Sequence, residues 1–458
     1  MAVETALGGR SPRSSYADAM PADPRLDLRA LLHAVEAAPP TAGVEALSAE
    51  LAKMVGAEEV SFLIADIISG SLARLARTHA DGTSPSDGAA PQSVPLAGTA
   101  AGRALRTQQV QVVLAGGQDD GDHRAGHRVG SHRAGDEAED GVWLYAPVTE
   151  RGEAVGVLEM LLPVAPDEAT VEYLASAAHA LAYVVIADRR YTDLYEFGAR
   201  SAPLSLEAEI QRRLLPDSYT CETGQFTLAG WLVPANEAGG DTFDFALDRE
   251  TLHLSITDAM GHGVVASQLA TLVVASLRNT RRGHAHVVEQ AGAANDALHR
   301  HADGDQLVTG LLLRLDLATG CAQVINAGHV PPLLVRAGQV SELELHADPA
   351  FGVLPGVDYR VQRVQLEPGD RLVLLTDGML ERNAVEAHIH DLLRRIGGLH
   401  PREAVQSLTG AVQVATGGQL LDDATVLVLD WYGGLDQARG ATAGATAGRA
   451  SGLPPTAD

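Results

Sequence analysis

Leu252-His253-Leu254-Ser255-Ile256-Thr257-Asp258-Ala259-Met260-Gly261-His262-Gly263 is the stretch whose reading decides the fold. Leu252, Leu254 and Ile256 alternate with polar residues, the period of a strand with one buried face. The alternation ends at Asp258, and the glycines around His262 lead into a helical pattern, Val264 to Asn279. Such a strand-loop-helix junction can offer both a carboxylate and a bare main-chain carbonyl to a cation. Three other stretches set aspartates beside apolar runs in the same manner: Gly239-Gly240-Asp241-Thr242-Phe243-Asp244, Leu374-Leu375-Thr376-Asp377-Gly378 and Asp422-Asp423-Ala424-Thr425. The glycine pair allows a sharp turn before Asp241, and Asp244 is expected to order that turn. Taken singly, an aspartate at a strand end is more often a backbone-capping residue. Carboxylates brought together repel unless a cation cancels their charge, so convergence of the four predicts a bound ion. Oxygen donors favour Mg²⁺ or Mn²⁺, and sites of this kind commonly activate water to attack phosphorus.

Outward from these motifs, short strands dominate: 226–234, 251–257, 306–315, 322–326, 333–335, 359–366, 371–375 and 424–429, with helices at 264–279 and 285–301. They lack strand-helix-strand alternation, which predicts an α+β domain of packed antiparallel sheets flanked by helices. An amphipathic segment, Leu206 to Leu215, precedes them and ends at Pro216. Towards the N-terminus, helical periodicity at 26–35 and 43–55 is followed by a hairpin, 60–65 and 72–77, across Ser69-Gly70. A helix at 99–107, strands at 109–114, 142–148 and 154–162, and one long helix from Asp167 to about Tyr195 complete this part. The predicted division is a disordered N-terminus (1–25), a sensor-like domain (26–190), a helical linker (191–216), a catalytic-type domain (217–432) and a disordered tail (433–458). Residues 115–140, with His123, His127 and His132, read as a solvated loop rather than a metal-binding tract, because nothing fixes ligand geometry.

The formal net charge of −25 argues against nucleic acid or an anionic membrane as a partner. Lys53 is the sole lysine, which excludes lysine-dependent phosphate loops and Schiff-base chemistry from the C-terminal half. Cys221 and Cys321 are too few for a disulfide framework or a thiolate zinc site, and neither begins a cysteine-phosphatase loop. No signal-peptide core and no run of about 18 uninterrupted apolar residues is present, so a cytoplasmic location is expected.

In order and spacing, the four motifs together with Ile210-Gln211-Arg212-Arg213-Leu214-Leu215-Pro216 and Asn326-Ala327-Gly328-His329-Val330-Pro331-Pro332 resemble the SpoIIE/RsbU-type metal-dependent protein serine/threonine phosphatases over residues 205–431. The resemblance implies an α-β-β-α sandwich holding two Mn²⁺ or Mg²⁺ ions. It implies that Asp241, Asp258, Asp377 and Asp422 are the catalytic metal ligands, with Asp258 as bridge and the Ala259 carbonyl as a further donor. Asp422 is preferred to Asp423 because the first acid of the pair matches the family position. Hydrolysis without a phosphoenzyme is implied, on a phosphorylated anti-anti-sigma factor. His262 could serve as general acid or start a helix, and the second is favoured; His329 is expected to be structural. Phe243 stands where tyrosine is frequent, and the segment after Asn383 lacks the family's glycine-glutamate-phenylalanine-glycine stretch, implying a short segment over the site. Residues 26–190 resemble a GAF sensor domain, most clearly in Leu144-Tyr145-Ala146-Pro147-Val148 and Gly152 to Glu159. This implies a small-molecule ligand or a dimerising role, and a homodimer is expected. The alternative to an enzyme is a non-catalytic scaffold of the same fold, against which the four costly carboxylates count.

Overall fold

The computed structural model describes residues 27–66, 71–79, 93–115, 141–198, 205–235, 239–301, 306–380, 383–417 and 420–434. The expected disordered N-terminus, nearly all of the 115–140 loop with its histidines, and the tail beyond Gly434 lie outside them.

The first unit is built on a six-stranded antiparallel sheet in the order β3-β2-β1-β6-β5-β4. Its strands are β1 (Glu59–Asp66), β2 (Ser71–His79), β3 (Ser93–Pro95), β4 (Gln111–Leu114), β5 (Val142–Glu150) and β6 (Glu153–Leu162). Both faces are covered, so β5 and β6 are apolar almost throughout. Phe62 and Ile64 of β1 pack with α1 (Leu28–Ala37), α2 (Gly43–Val55) and α4 (Glu168–Asp188), whereas Leu63 between them packs with α3 (Ala100–Thr107) on the other face. Side-chain caps start α3 and α4: Thr99 accepts the Gly102 amide at 3.0 Å and Asp167 the Thr170 amide at 2.8 Å. By length and composition α4 could cross a membrane, but Leu174, Ala178, Leu181 and Val185 are buried in the core of this unit.

The long helix expected to reach Tyr195 is instead broken. It stops at Asp188, the Tyr191 amide folds back to the Asp188 carbonyl, and Thr192 caps a new short helix, α5 (Leu194–Gly198), by accepting the Leu194 amide at 3.1 Å. A hydroxyl that bonds its own backbone competes with helix continuation.

The second unit has two antiparallel sheets. One, in the order β15-β12-β11-β10-β9, consists of β9 (Thr242–Leu247), β10 (Thr251–Ala259), β11 (Val308–Asp316), β12 (Cys321–Ala327) and β15 (Gln362–Gln365). The other, β14-β13-β16-β17-β8-β7, consists of β7 (Thr220–Glu222), β8 (Phe226–Val233), β13 (Leu333–Arg336), β14 (Gln339–Glu342), β16 (Arg371–Leu375) and β17 (Ala424–Trp431). Strand alternation decides what each residue meets. Leu252, Leu254 and Ile256 join Leu311, Leu313, Leu372, Leu374, Leu427 and Leu429 in a core between the sheets. Leu312 and Ile325 face α7 (Gly263–Arg282) and α8 (Val287–His301), while Val373, Leu375, Val426 and Val428 face α9 (Asn383–Arg395) and α10 (Pro401–Ala415). Phe243 lies fully buried between the sheets, edge-on to Tyr219, so its apolar ring suits the position.

Several expectations need correction. The strand expected over 359–366 narrows to Gln362–Gln365, because Tyr359 turns into the α7–α8 core beside Phe351. The edge strands β3, β7, β9 and β14 and the helices α9 and α10 lie outside the expected elements; β3, β7 and β14 are too short for a clear period. Asp244 does not order the turn after the glycines. It sits buried on β9 and pairs with Arg278 (2.8 Å) and Arg281 (2.9 Å) of α7, while Arg278 also donates to the Leu214 carbonyl at the end of α6 (Leu206–Leu214).

The two units touch through the β5–β6 turn. The Glu222 amide donates to the Arg151 carbonyl at 2.9 Å, and the buried Arg402 of α10 donates Nη1 to the Gly152 carbonyl. Gly152 has φ +83°, and a Cβ there would lie 3.1 Å from Thr220.

Asp244→Ala should lower stability by about 2–3 kcal/mol, below the ~3–5 kcal/mol of a fully buried broken pair because both arginines keep some exposure. Urea unfolding reads this as an earlier midpoint; an unchanged midpoint would show that these ion pairs do not tie β9 to α7.

Candidate metal centre

Register, more than proximity in sequence, assembles the site. Thr242 pairs with Thr257 in the β9–β10 ladder, so Asp241, just before β9, lies beside Asp258 near the end of β10. The Thr242 and Thr257 hydroxyls, 2.6 Å apart, lock that pairing. In the other sheet Leu375 pairs with Val426, and beyond it Thr376 and Thr425 bond to each other: the Thr376 amide to the Thr425 carbonyl, the Thr425 amide to Thr376 Oγ1. Asp377 and Asp422 flank this threonine pair. Both threonine hydroxyls then reach across and donate to Asp241 Oδ2, at 2.7 Å and 2.6 Å.

Asp241 is almost fully buried. Burial first, then the charges of Asp258 and Asp423, push its carboxyl well above the ordinary range, and the two threonine hydroxyls oppose this only partly. Asp422 is raised too, by burial and then by Asp377 and Asp423, while the Asp423 amide and His262 act in the opposite sense. The four expected aspartates therefore lie in two adjoining groups: Asp241 with Asp258 and Asp423, and Asp422 with Asp377.

The adjacent acids have different environments. Asp423 is fully engaged: Oδ1 accepts the Ala235 amide (2.8 Å), and Oδ2 accepts the Gly239 amide (3.0 Å) and the Gln211 side-chain amide. Asp422 is only partly buried and accepts its neighbour's amide at 2.8 Å, so it is less engaged than Asp423. Gln211, on α6, also donates to the Asp241 carbonyl at 2.9 Å. Sequence reasoning noted the helix but missed this contact, and it missed the roles of Thr376 and Thr425, although each sits inside a quoted motif.

Glycines make the convergence sterically feasible. A Cβ on Gly240 would fall 2.4 Å from the Ala259 Cβ and 2.6 Å from its carbonyl oxygen; one on Gly239 would lie 3.0 Å from Asp422 Oδ1. One on Gly378 would overlap the Asp423 carbonyl at 1.9 Å. Asp377 is exposed at the start of a short 3₁₀ turn, and exposed His262 caps α7 without a side-chain capping bond.

Among the described residues no group of three or more Asp, Glu, His or Cys side chains is close enough to hold an ion by itself. The donors are nevertheless all hard oxygens, in two carboxylate groups with the Ala259 carbonyl brought against the Gly239-Gly240 elbow. This fits Mg²⁺ or Mn²⁺, which keep several waters and take one or two carboxylates each.

Replacing Asp241 by asparagine keeps an acceptor for both threonines and removes the penalised charge. A carboxyl with a raised pKa destabilises the fold as pH climbs above its ordinary value of 3.8, and costs nothing well below it. In chelator-treated protein, Asp241→Asn should therefore melt higher than the native chain at pH 7, with the gap closing towards pH 3; a lower melting temperature at pH 7 would contradict this.

Residues 248–432 match the sequence profile described as Stage II sporulation protein E (SpoIIE). Phosphoserine phosphatase RsbU of Bacillus subtilis (strain 168) is 22% identical over 236 residues, 49% of this chain and 69% of that protein. Phosphoserine phosphatase RsbP of the same organism is 26% identical over 220 residues, 44% of this chain and 51% of that protein. The chain thus spans about half to two thirds of these relatives' length. Among solved structures, the RsbU and RsbW domains of Rv1364c from Mycobacterium tuberculosis superpose with a TM-score of 0.43 at 28% identity, over 46% of this chain and 61% of that one. Over residues 248–432 the chain is similar to the SpoIIE-type protein phosphatases.

Proposed function

We propose that the chain is a metal-dependent protein phosphatase that hydrolyses phosphoserine or phosphothreonine on a partner protein, with a phosphorylated anti-anti-sigma factor as substrate. The observation that supports this reading is the placement of the four motif aspartates, in two adjoining groups, at neighbouring ends of two sheets that the bonds of Asp241 to Thr376 and Thr425 tie together. RsbU and RsbP, each named a phosphoserine phosphatase, support the substrate chemistry. The helix-sheet-sheet-helix order of the cores supports the α-β-β-α sandwich.

Asp241, Asp258, Asp377, Asp422 and the Ala259 carbonyl would hold two Mn²⁺ or Mg²⁺ ions. Bound there, such ions lower the pKa of water and neutralise charge on a phosphoryl group. Asp423 holds the Gly239 elbow and the Gln211 side chain, which keeps Asp422 and Asp241 in register. Thr376 and Thr425 orient Asp241 through one oxygen, directing its other oxygen away from them. His262 starts α7 beside Asp422, which fits the helix-start role better than acid catalysis. Burial holds His329 near pKa 4 and therefore neutral, which favours a structural role.

Regulation by the first unit, read as a GAF-like sensor, belongs to the same proposal. Its support is the buried joint in which Arg402 meets the β5–β6 turn, and α6, which carries Gln211 into the site while its Arg212 lies 3.9 Å from Glu196 of α5.

Manganese-dependent phosphate release from a phosphoserine protein should fall by at least about 100-fold in Asp258→Ala and Asp377→Ala, the scale on which removing a preorganised electrostatic group acts. Undiminished release by both variants would exclude this site. Arg402→Met should change the release rate with the aspartates intact; an identical rate at every manganese concentration would argue against coupling through the joint.

A further inference from the structure

His329 follows β12 and is buried, and its ring touches both sheets. Nε2 lies 3.1 Å from the Leu375 carbonyl oxygen at the end of β16, and Nδ1 lies 2.7 Å from Thr309 Oγ1 on β11. A carbonyl can only accept, so Nε2 carries the proton and Nδ1 accepts from the threonine hydroxyl. The loop that presents the ring is itself fixed. The Asn326 side chain donates to the His329 carbonyl at 3.0 Å and accepts the His329 amide at 2.7 Å, while Gly328 takes φ +67°.

The partners' positions give this bridge its meaning. Thr309 is the direct cross-strand partner of Asp258, and Leu375 stands two residues before Asp377. One planar ring therefore spans from the strand position opposite Asp258 in one sheet to the strand end that presents Asp377 in the other. The contact of Asp241 with Thr376 and Thr425 crosses the same gap, and a neutral ring adds no charge to it. A flexible side chain would leave the separation of the two strand ends free to vary, whereas a ring with a partner on each nitrogen does not.

We propose that His329 is a positioning residue of the metal centre: by bridging Thr309 to the Leu375 carbonyl it sets the sheet separation at which Asp258 and Asp377 serve the same ions. The inference rests on the metal-dependent phosphatase reading and assigns His329 no contact with substrate.

The test is a Mn²⁺ titration of the full chain, with free Mn²⁺ followed by electron paramagnetic resonance, beside the melting temperature of chelator-treated protein. His329→Ala should weaken Mn²⁺ affinity about tenfold, the lower end of the range for losing a group that orients metal ligands, because His329 acts on Asp258 and Asp377 only through the strand ends that carry them. His329→Gln, which keeps an amide donor for the Leu375 carbonyl, should recover most of that loss even where the two variants melt alike without metal. Thr309→Val, which removes the hydroxyl and keeps the bulk, should weaken affinity severalfold and remains informative where His329→Ala does not fold. Native affinity in His329→Ala or Thr309→Val, or a glutamine variant no better than alanine, would overturn the role of His329. A native chain that binds no Mn²⁺ would instead overturn the metal reading on which it rests.

Discussion

The structure of the second unit depends on one carboxylate. Asp241 leaves the first sheet through a glycine elbow and receives two hydroxyls, Thr376 and Thr425, from the second sheet. Besides this contact and the His329 bridge, most of what lies between the sheets is apolar packing, which is strong but indifferent to direction. Leucine against leucine keeps two sheets together without specifying how their ends align. Hydrogen bonds at 2.6–2.7 Å do specify alignment, and here they do so at the edge where the other aspartates emerge.

That alignment has an electrostatic cost which the surroundings only partly offset. Burial and two neighbouring acids disfavour the charged form of Asp241, and two threonines do not restore it. Such a group is a poor choice for stability alone, since an apolar residue would fill the same volume at no penalty. The proposed cation would account for its presence, because it would turn a repulsive cluster into a ligand set. The division of labour between Asp422 and Asp423 follows the same logic: the acid with three donors builds the scaffold, and the partly buried one is less engaged.

Much of this was legible in the sequence because strand alternation and motif order are strong local signals. Leu252, Leu254 and Ile256 point into the inter-sheet core as their period requires, and the helices after Gly263 and before His301 appear where periodicity places them. What escaped depended on partners distant in the chain. Asp244 looked like a turn residue because nothing local reveals Arg278 and Arg281; Gln211 looked like one polar residue on an amphipathic helix, though it reaches residues 30 and 212 positions away. The break after Asp188 was hidden because Thr192 and Asp193 are weak helix breakers taken alone. In the joint between the units, the Gly152 turn opens a stretch that reads as part of the first unit, but nothing local reveals its partner Arg402, 250 residues away.

The central claim is that Asp241, Asp258, Asp377 and Asp422 form one ion site across two sheets. Anomalous X-ray diffraction at the manganese edge, from crystals of the full chain grown with Mn²⁺, addresses it most directly. The account predicts anomalous peaks bounded by those four carboxylates and the Ala259 carbonyl, with Asp423 still bonded to the Gly239 and Ala235 amides. Peaks bound elsewhere, or a site in which Asp423 turns inward to replace Asp422, would contradict it.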